Sequence, residues 1–254
     1  MKQIFYSLCL FLLMMQGAFA DDPFFYKKDI EIGQYELISK VRLERELFQY
    51  TYKLTLKNIS NTRLKNVRLS LYRGISGTDA PLSGVTVING LLMFNQFEKG
   101  ESRQSSNTFT IQTSRTESID INNLKVTIKY QTPIIFKDSK GNEIALFIEE
   151  SIKELITTNN FITIADNKNP TNKDLNNFPV ITNNFIEIAI NDPSLAQLPY
   201  SIDIHYTENP YRVLLLRNNE TEWTPFINNK DKKIAELTAK PENGKLLFAL
   251  IRRN

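Results

Sequence analysis

The sequence contains one cysteine, Cys9, and one histidine, His205, and this scarcity excludes several kinds of chemistry. A single cysteine cannot form a disulfide within the chain, and ordinary zinc sites need several cysteine or histidine ligands. A Ser-His-acid triad would have to use His205, and no serine stands in a Gly-x-Ser-x-Gly sequence. We therefore predict no catalytic residues, no metal site and no cofactor.

Other absences limit the possible ligands. The chain has no Gly-x-Gly and no Gly-Lys-Ser/Thr sequence, so we expect no glycine-rich phosphate loop. The formal net charge of +3 is too close to balance to favour nucleic acid or an acidic membrane surface as a partner. With only 9 glycines in the chain, asparagine is expected to occupy many left-handed turn positions.

The N-terminus has the features of an export signal. Lys2 precedes an apolar run over residues 4–15, and Ala18-Phe19-Ala20 follows it. This order of charge, apolar run and Ala-x-Ala is typical of a signal peptide, and the run is shorter than the roughly 20 residues of a membrane-spanning helix. We predict a signal peptide over 1–20, no transmembrane segment in the mature chain, and a periplasmic, cell-surface or extracellular location.

Residues 50–71, YTYKLTLKNISNTRLKNVRLSL, indicate the preferred local structure. Large apolar residues alternate with Thr and Lys, which is the pattern of a half-buried antiparallel strand. Residues 58–63 have turn chemistry, because Asn and Ser side chains bond to nearby backbone. Leu64 is out of phase with Val67 in the next strand, so we predict a bulge near Lys65-Asn66.

The same pattern recurs along the first half of the chain, and about seven strands are expected between residues 30 and 135. Residues 34–49 are expected to hold the first strand, although their Glu, Arg and Leu content also allows a helix. Asn89-Gly90 is a favoured hairpin dipeptide, so the two short strands beside it are predicted to pair with each other. Residues 98–102 are predicted to form another turn.

Thr132-Pro133 is the predicted domain boundary, since proline interrupts a central strand. This places a first domain over 24–134 and a second over 140–254, with the joint near 132–142.

The second half is also predicted to be mainly β. A hairpin is expected over Asp138–Asn142, and Glu149–Ile156 is the one plausible helix of the mature chain. The Asn-rich stretch 157–184 is predicted to be a long loop with one or two short strands. A closing hairpin is expected between residues 233–239 and 245–251.

The segment 34–131 resembles the immunoglobulin-like β-sandwich repeats of bacterial secreted and surface proteins. The resemblance rests on YTYKLTLKNISNTRLKNVRLSL, GVTVING, FEKGES and LKVTIKY. It implies an all-β fold of two antiparallel sandwich domains and no shared catalytic residue. NLKVTIKYQTPIIF is also similar to the subunit-pairing strand of periplasmic pilus chaperones, but the linker typical of that family is absent.

Aromatic residues are the candidate ligand contacts. Trp223, with Tyr200, Tyr206 and Tyr211 in neighbouring strands, would form a carbohydrate- or protein-binding cluster if exposed. The alternative is a tryptophan in the core of the domain.

Three other groups give weaker candidates. His205 is expected to face solvent beside Asp203 on one strand. Residues 166–174 contain alternating Asp and Asn but lack the glycine and terminal glutamate of a calcium loop, so a solvated loop is preferred. Glu149-Glu150 would serve a glycosidase only if both faced one cleft, and adjacent residues diverge.

Together these features predict an exported, non-catalytic interaction or adhesion protein of the cell envelope or extracellular space. The expected partner is a protein, contacted through an exposed strand edge, or a glycan. The alternatives are a carbohydrate-binding module and a chaperone-like periplasmic protein that binds subunits.

Overall fold

The structure is a computed structural model, and it describes residues 28–75, 84–114, 124–138, 141–167, 184–206, 211–216, 223–225, 228–229, 233–241 and 243–252. The predicted signal peptide lies outside these residues. The chain divides into two compact units between Tyr130 and Gln131, just before the predicted joint. Antiparallel strands dominate both units, which confirms the predicted all-β character.

The first unit contains two sheets. One has the strand order β1-β2-β7-β4, with β6 also paired to β2, and the other has the order β8-β3-β5. The strands are β1 (Ile30–Arg42), β2 (Leu47–Asn58), β3 (Leu64–Ile75), β4 (Val85–Asn89), β5 (Leu91–Phe97), β6 (Ser102–Gln104), β7 (Phe109–Ser114) and β8 (Leu124–Lys137). Residues of β8 after Tyr130 belong to the second unit.

Both sheets contribute side chains to one buried core. Leu54 and Leu56 of β2 are fully buried, as are Val67 and Leu69 of β3, so the predicted period-two alternation is confirmed. Burying a side chain of this size stabilises the fold by roughly 1.5–3 kcal/mol. The core therefore follows directly from the alternating sequence of these strands.

The predicted bulge is present in β3. Its register against β5 shifts between Leu64 and Val67, and Asn66 between them has φ 51°. Left-handed backbone angles outside glycine occur at one lysine and four asparagines of the described chain, which confirms the expected role of asparagine; these residues are Asn66, Asn95, Asn160, Lys233 and Asn243.

The second unit also has two sheets. Their orders are β10-β11-β17-β13-β14 and, starting from the second half of β8, β8-β9-β12-β16-β15. The elements are β9 (Glu143–Glu149), α1 (Glu150–Thr158), β10 (Ile162–Asn167), β11 (Asn184–Ile190), a 3-10 turn (Leu195–Gln197), β12 (Tyr200–His205), β13 (Tyr211–Leu216), β14 (Trp223–Pro225), β15 (Asn228–Asn229), β16 (Ile234–Ala239) and β17 (Lys245–Arg252).

Local predictions for the second unit hold in large part. The β8–β9 hairpin forms over Asp138–Asn142, where the Asn142 side-chain amide donates to the Asp138 carboxylate at 2.6 Å. The predicted helix is α1; Ile156 is buried and Ile152 packs against the core, but Leu155 is 40% exposed. In the Asn-rich stretch, β10 is one of the predicted short strands, and residues 168–183 lie outside the described chain.

Two predicted hairpins are wrong, because the strands on either side of the short turn join different sheets. Strand β4 pairs with β7 and β5 pairs with β3, so the chain changes sheet at Gly90. Likewise β16 pairs with β12 whereas β17 pairs with β11, and the change occurs before Gly244. A dipeptide that favours a tight turn does not decide which long-range pairing each strand makes.

Strand β8 continues through Thr132 and Pro133, so the predicted strand break is wrong. Pro133 lies opposite Phe147 of β9. The Asp138 amide donates to the Asn142 carbonyl at 3.0 Å, and Pro133 lies five residues before this hydrogen-bonded pair. Its missing N–H therefore faces away from β9 and removes no bond of this ladder.

Candidate functional site

The candidate site is β1, the outer strand of its sheet in the first unit. Among the described residues it pairs with β2 alone, and its second half is exposed on both faces. Leu37, Ile38 and Val41 are 50%, 47% and 46% exposed. Most sheets protect their outer strands from new pairing, so a long outer strand with half-exposed apolar residues is a candidate interaction surface.

The backbone pattern shows which groups point to the open side of β1. Directly opposed residues in an antiparallel pair alternate between hydrogen-bonded and non-hydrogen-bonded types. The Leu43 amide donates to the Leu47 carbonyl at 3.0 Å, so this pair is hydrogen-bonded and Val41, two residues earlier, also bonds to β2. Lys40 and Arg42 therefore direct their N–H and C=O groups away from β2, towards the open edge.

A row of aromatic rings lies on one face beside this edge. On β2, the Tyr50 and Tyr52 rings are stacked with centroids 6.3 Å apart, and Phe48 lies 6.5 Å from Tyr50. Tyr52 also stacks on Phe109 of β7 at 5.3 Å, so two neighbouring rings pack against it. Burial, and then the neighbouring Tyr50, raise the pKa of Tyr52 above its usual value of 10.0.

The two cations of β1 lie on this aromatic face, because Lys40 is opposite Tyr50 and Arg42 is opposite Phe48. The Lys40 ammonium lies 5.0 Å and 5.1 Å from the centroids of the Phe48 and Tyr50 rings, which is cation–π distance. The Arg42 guanidinium donates to two carbonyls of its own hairpin turn, those of Glu44 and Arg45. Both side chains are held at the edge without an ion pair in the described chain.

Sequence reasoning located the first strand but not its exposed edge. The available signal was the segment LISKVRL, residues 37–43, in which apolar residues occur on both faces of a strand and no acidic residue is present. This pattern differs from the strict alternation of β2. Only the sheet order showed that the strand is an outer one.

The structure separates the four aromatic residues predicted to bind a ligand. Tyr200 begins β12 and Tyr206 follows it, and both pack in the core at 3% exposure, so neither belongs to an exposed cluster. Tyr211 begins β13 and Trp223 lies opposite Leu216 at its other end, about 17 Å along the strand at 3.3–3.4 Å per residue. The side chains of Tyr211 and Trp223 lie outside the described part, and their ligand role stays a prediction.

The weaker candidates are also dispersed. His205 is exposed as predicted, but Asp203 is fully buried, so the expectation that it faces solvent is wrong. Asp203 lies on β12, which is an inner strand. It is opposite Ala145 of β9 on one side and Glu236 of β16 on the other. The proposed calcium loop over 166–174 lies mostly outside the described residues, and elsewhere in the described chain no metal-binding cluster of three or more His, Cys, Asp or Glu is found.

The second unit contains a cavity of about 360 Å³. Described residues that line it include Gln131, Phe147, Glu149, Ile152 and Tyr200. Of the Glu149-Glu150 pair, Glu149 is the last residue of β9 and lines this cavity. Glu150 is the first residue of α1. The hydroxyl of Tyr200 donates to the Leu195 carbonyl at 2.9 Å.

Tyr200 gives a prediction for the alkaline pH dependence of stability. Burial, with a smaller contribution from the Asp192 carboxylate, raises the pKa of Tyr200 to about 12, against about 10 in an unfolded chain. The folded state therefore favours the neutral phenol: this stabilisation is complete below pH 10 and is lost as pH rises through 12. Denaturant titrations from pH 9 to 12 should show the stability advantage of the wild type over Tyr200→Phe shrinking. An advantage that stays constant over this range would contradict the assignment.

No protein-family model matches the chain, and a search of curated proteins finds no significant match. Within the described residues, no helix is long and apolar enough to cross a membrane. Function must therefore be inferred from the geometry of the chain itself.

Proposed function

We propose that the protein is an exported, non-catalytic interaction module that binds protein partners by strand addition at β1. The observation on which this rests is the exposed half of β1, with apolar side chains on a strand that pairs on one side alone among the described residues. In strand addition, backbone hydrogen bonds supply affinity and alternate side chains supply specificity. The outward N–H and C=O groups of Lys40 and Arg42 provide the backbone part.

The fold and location belong to the same proposal. Two sheets around one core in each unit support two β-sandwich domains of the immunoglobulin-like kind. The N-terminal sequence supports export with cleavage after Ala20 and a periplasmic or extracellular location. Mass spectrometry of the protein recovered from its source should give Asp21 as the first residue.

The strand-addition proposal predicts that Lys40→Pro weakens partner binding more than Lys40→Thr does. Both substitutions remove the ammonium, but only proline removes the outward N–H, and the bonds from β1 to β2 are kept in both. Without the N–H of residue 40, a carbonyl of the partner is left unpaired in the complex. This costs about 1–3 kcal/mol, so at least about a fivefold loss of complex relative to Lys40→Thr is expected.

The amount of complex can be measured with a photo-crosslinking amino acid in place of Ile38, introduced into the protein in its source organism. The expected result is a discrete adduct in the wild type, and an adduct at least about fivefold weaker in Lys40→Pro than in Lys40→Thr. A crosslinker at Leu155, exposed on α1 of the second unit, is the matched control. Equal adducts in Lys40→Pro and Lys40→Thr, or none at Ile38, would reject strand addition at β1.

A further inference from the structure

We infer that the segment docked on β1, on which the proposed function rests, is extended and acidic, with Asp or Glu at alternate positions and apolar residues between them. A strand added to β1 would lie about 4.7–4.9 Å away, with its side chains beside those of β1 on each face. The charge and polarity of the two faces of β1 then determine the residues that fit.

The aromatic face of the edge is positively charged. Residues 37–43 contain two cations, Lys40 and Arg42, and no acidic residue, and both cations lie on this face. Their neighbours there on β2 are the uncharged Tyr50 and Phe48. A carboxylate on the added strand beside each cation would complete an ion pair that the described chain does not supply.

Of the three acidic residues nearest in sequence, Glu44 makes no ion pair with either cation within the described residues, and the other two are engaged or face the other way. Glu46 of the hairpin turn lies 3.8 Å from the Arg45 guanidinium. Glu36 is opposite Lys53 and accepts a hydrogen bond from the Gln104 side chain. The register shift between Leu37 and Ser39 leaves Glu36 on the face opposite to Lys40, so it cannot pair with the cations on their own face.

The other face selects apolar residues. Ser39 and Val41 point to this side, since they lie opposite Thr51 and Gln49 of β2. Val41 is about half exposed. An apolar side chain beside Val41 would bury this surface without leaving a charge unpaired. The two faces together require a partner that alternates acidic and apolar residues.

The same geometry argues against a second copy of the chain as the occupant. An antiparallel copy of β1 centred on Lys40 or Val41 would place Lys40 opposite another Lys40 or an Arg42. Like charges directly opposite each other destabilise a strand pair. A partner with carboxylates at these positions avoids this repulsion.

Two nine-residue fluorescent peptides would test the inference on the full mature chain, one alternating valine with glutamate and one alternating valine with lysine. Fluorescence anisotropy should show at least about tenfold tighter binding of the glutamate peptide, weakened by added salt. Lys40→Glu should abolish this preference, and Lys40→Glu with Arg42→Glu should reverse it. Lys99→Glu, in an exposed turn of the same unit, is the control for a general change of charge.

The alternative outcomes separate the inference from the proposed function. Equal binding of both peptides that is blocked by Lys40→Pro would overturn the charge preference and leave strand addition intact. Binding of neither peptide would overturn the inference, whereas the crosslink at Ile38 tests strand addition independently. Sedimentation showing a dimer that Lys40→Pro dissociates would identify a second copy as the occupant, and would likewise overturn it.

Discussion

Replacing Asn58 with alanine is expected to lower the free energy of unfolding by about 3 kcal/mol, because several buried hydrogen bonds are lost together. The Asn58 amide donates to the carbonyls of Thr62 and Glu98 at 2.8 Å and 3.1 Å. Its carbonyl oxygen accepts from the backbone N–H and the hydroxyl of Ser60 at 2.9 Å and 2.6 Å. The side chain is 1% exposed, so water cannot replace these partners.

Asn58 therefore links two turns of the first unit that are distant in sequence. Its side chain fixes the turn that follows β2 and the turn after β5, while its backbone bonds to Gly100 and Glu101. Alanine would leave the carbonyls of both turns without this donor. Urea unfolding of the mature protein measures the loss, and Asn61→Ala, at an exposed position of the same turn, is the matched control. Similar stabilities of the two variants would contradict this role.

The burial of Asn58 also gives a structural explanation for the Asn-Ile-Ser sequence at 58–60. This sequence matches a glycosylation acceptor. The side chain that would be modified is buried and hydrogen-bonded on both its oxygen and its nitrogen. In the folded chain these three residues therefore form a turn and have no room for a glycan.

Gly90→Ala is expected to destabilise the protein by about 2–3 kcal/mol, through overpacking at the point where the chain changes sheet. A Cβ atom at this position would lie 2.6 Å from the Leu71 carbonyl oxygen and 2.9 Å from Val87 Cγ1. The Leu71 amide donates to the Gly90 carbonyl at 2.9 Å, so neither backbone can move away without losing this bond.

Gly100→Ala is the comparison that separates overpacking from backbone strain. Gly100 has φ +74°, and a Cβ there would meet no atom within 4 Å. Its cost should be about 1 kcal/mol, from the left-handed backbone alone. Thermal or urea unfolding of the two variants side by side would measure the difference. A loss of stability in Gly90→Ala no larger than that in Gly100→Ala would contradict the overpacking. It would show that the structure easily accommodates a Cβ atom close to the Leu71 carbonyl oxygen.

The local features of the fold could be predicted because they depend on residues close in sequence. The alternation around Leu54 and Leu56 determines which side of β2 is buried, and the phase shift at Leu64 determines where β3 has its bulge. The turn over Asp138–Asn142 and the helix at Glu150–Thr158 likewise follow from short-range chemistry.

The sequence by itself determined the strands, their buried faces, the turns and the apolar leader pattern, because each follows from side-chain periodicity and short-range bonding. Only the tertiary structure decided that the strands adjoining Gly90 belong to different sheets, that Asp203 lies on an inner strand, and that β1 pairs on one side alone among the described residues. These features depend on pairings between residues far apart in the chain, and a period-two pattern is the same whichever neighbour a strand acquires.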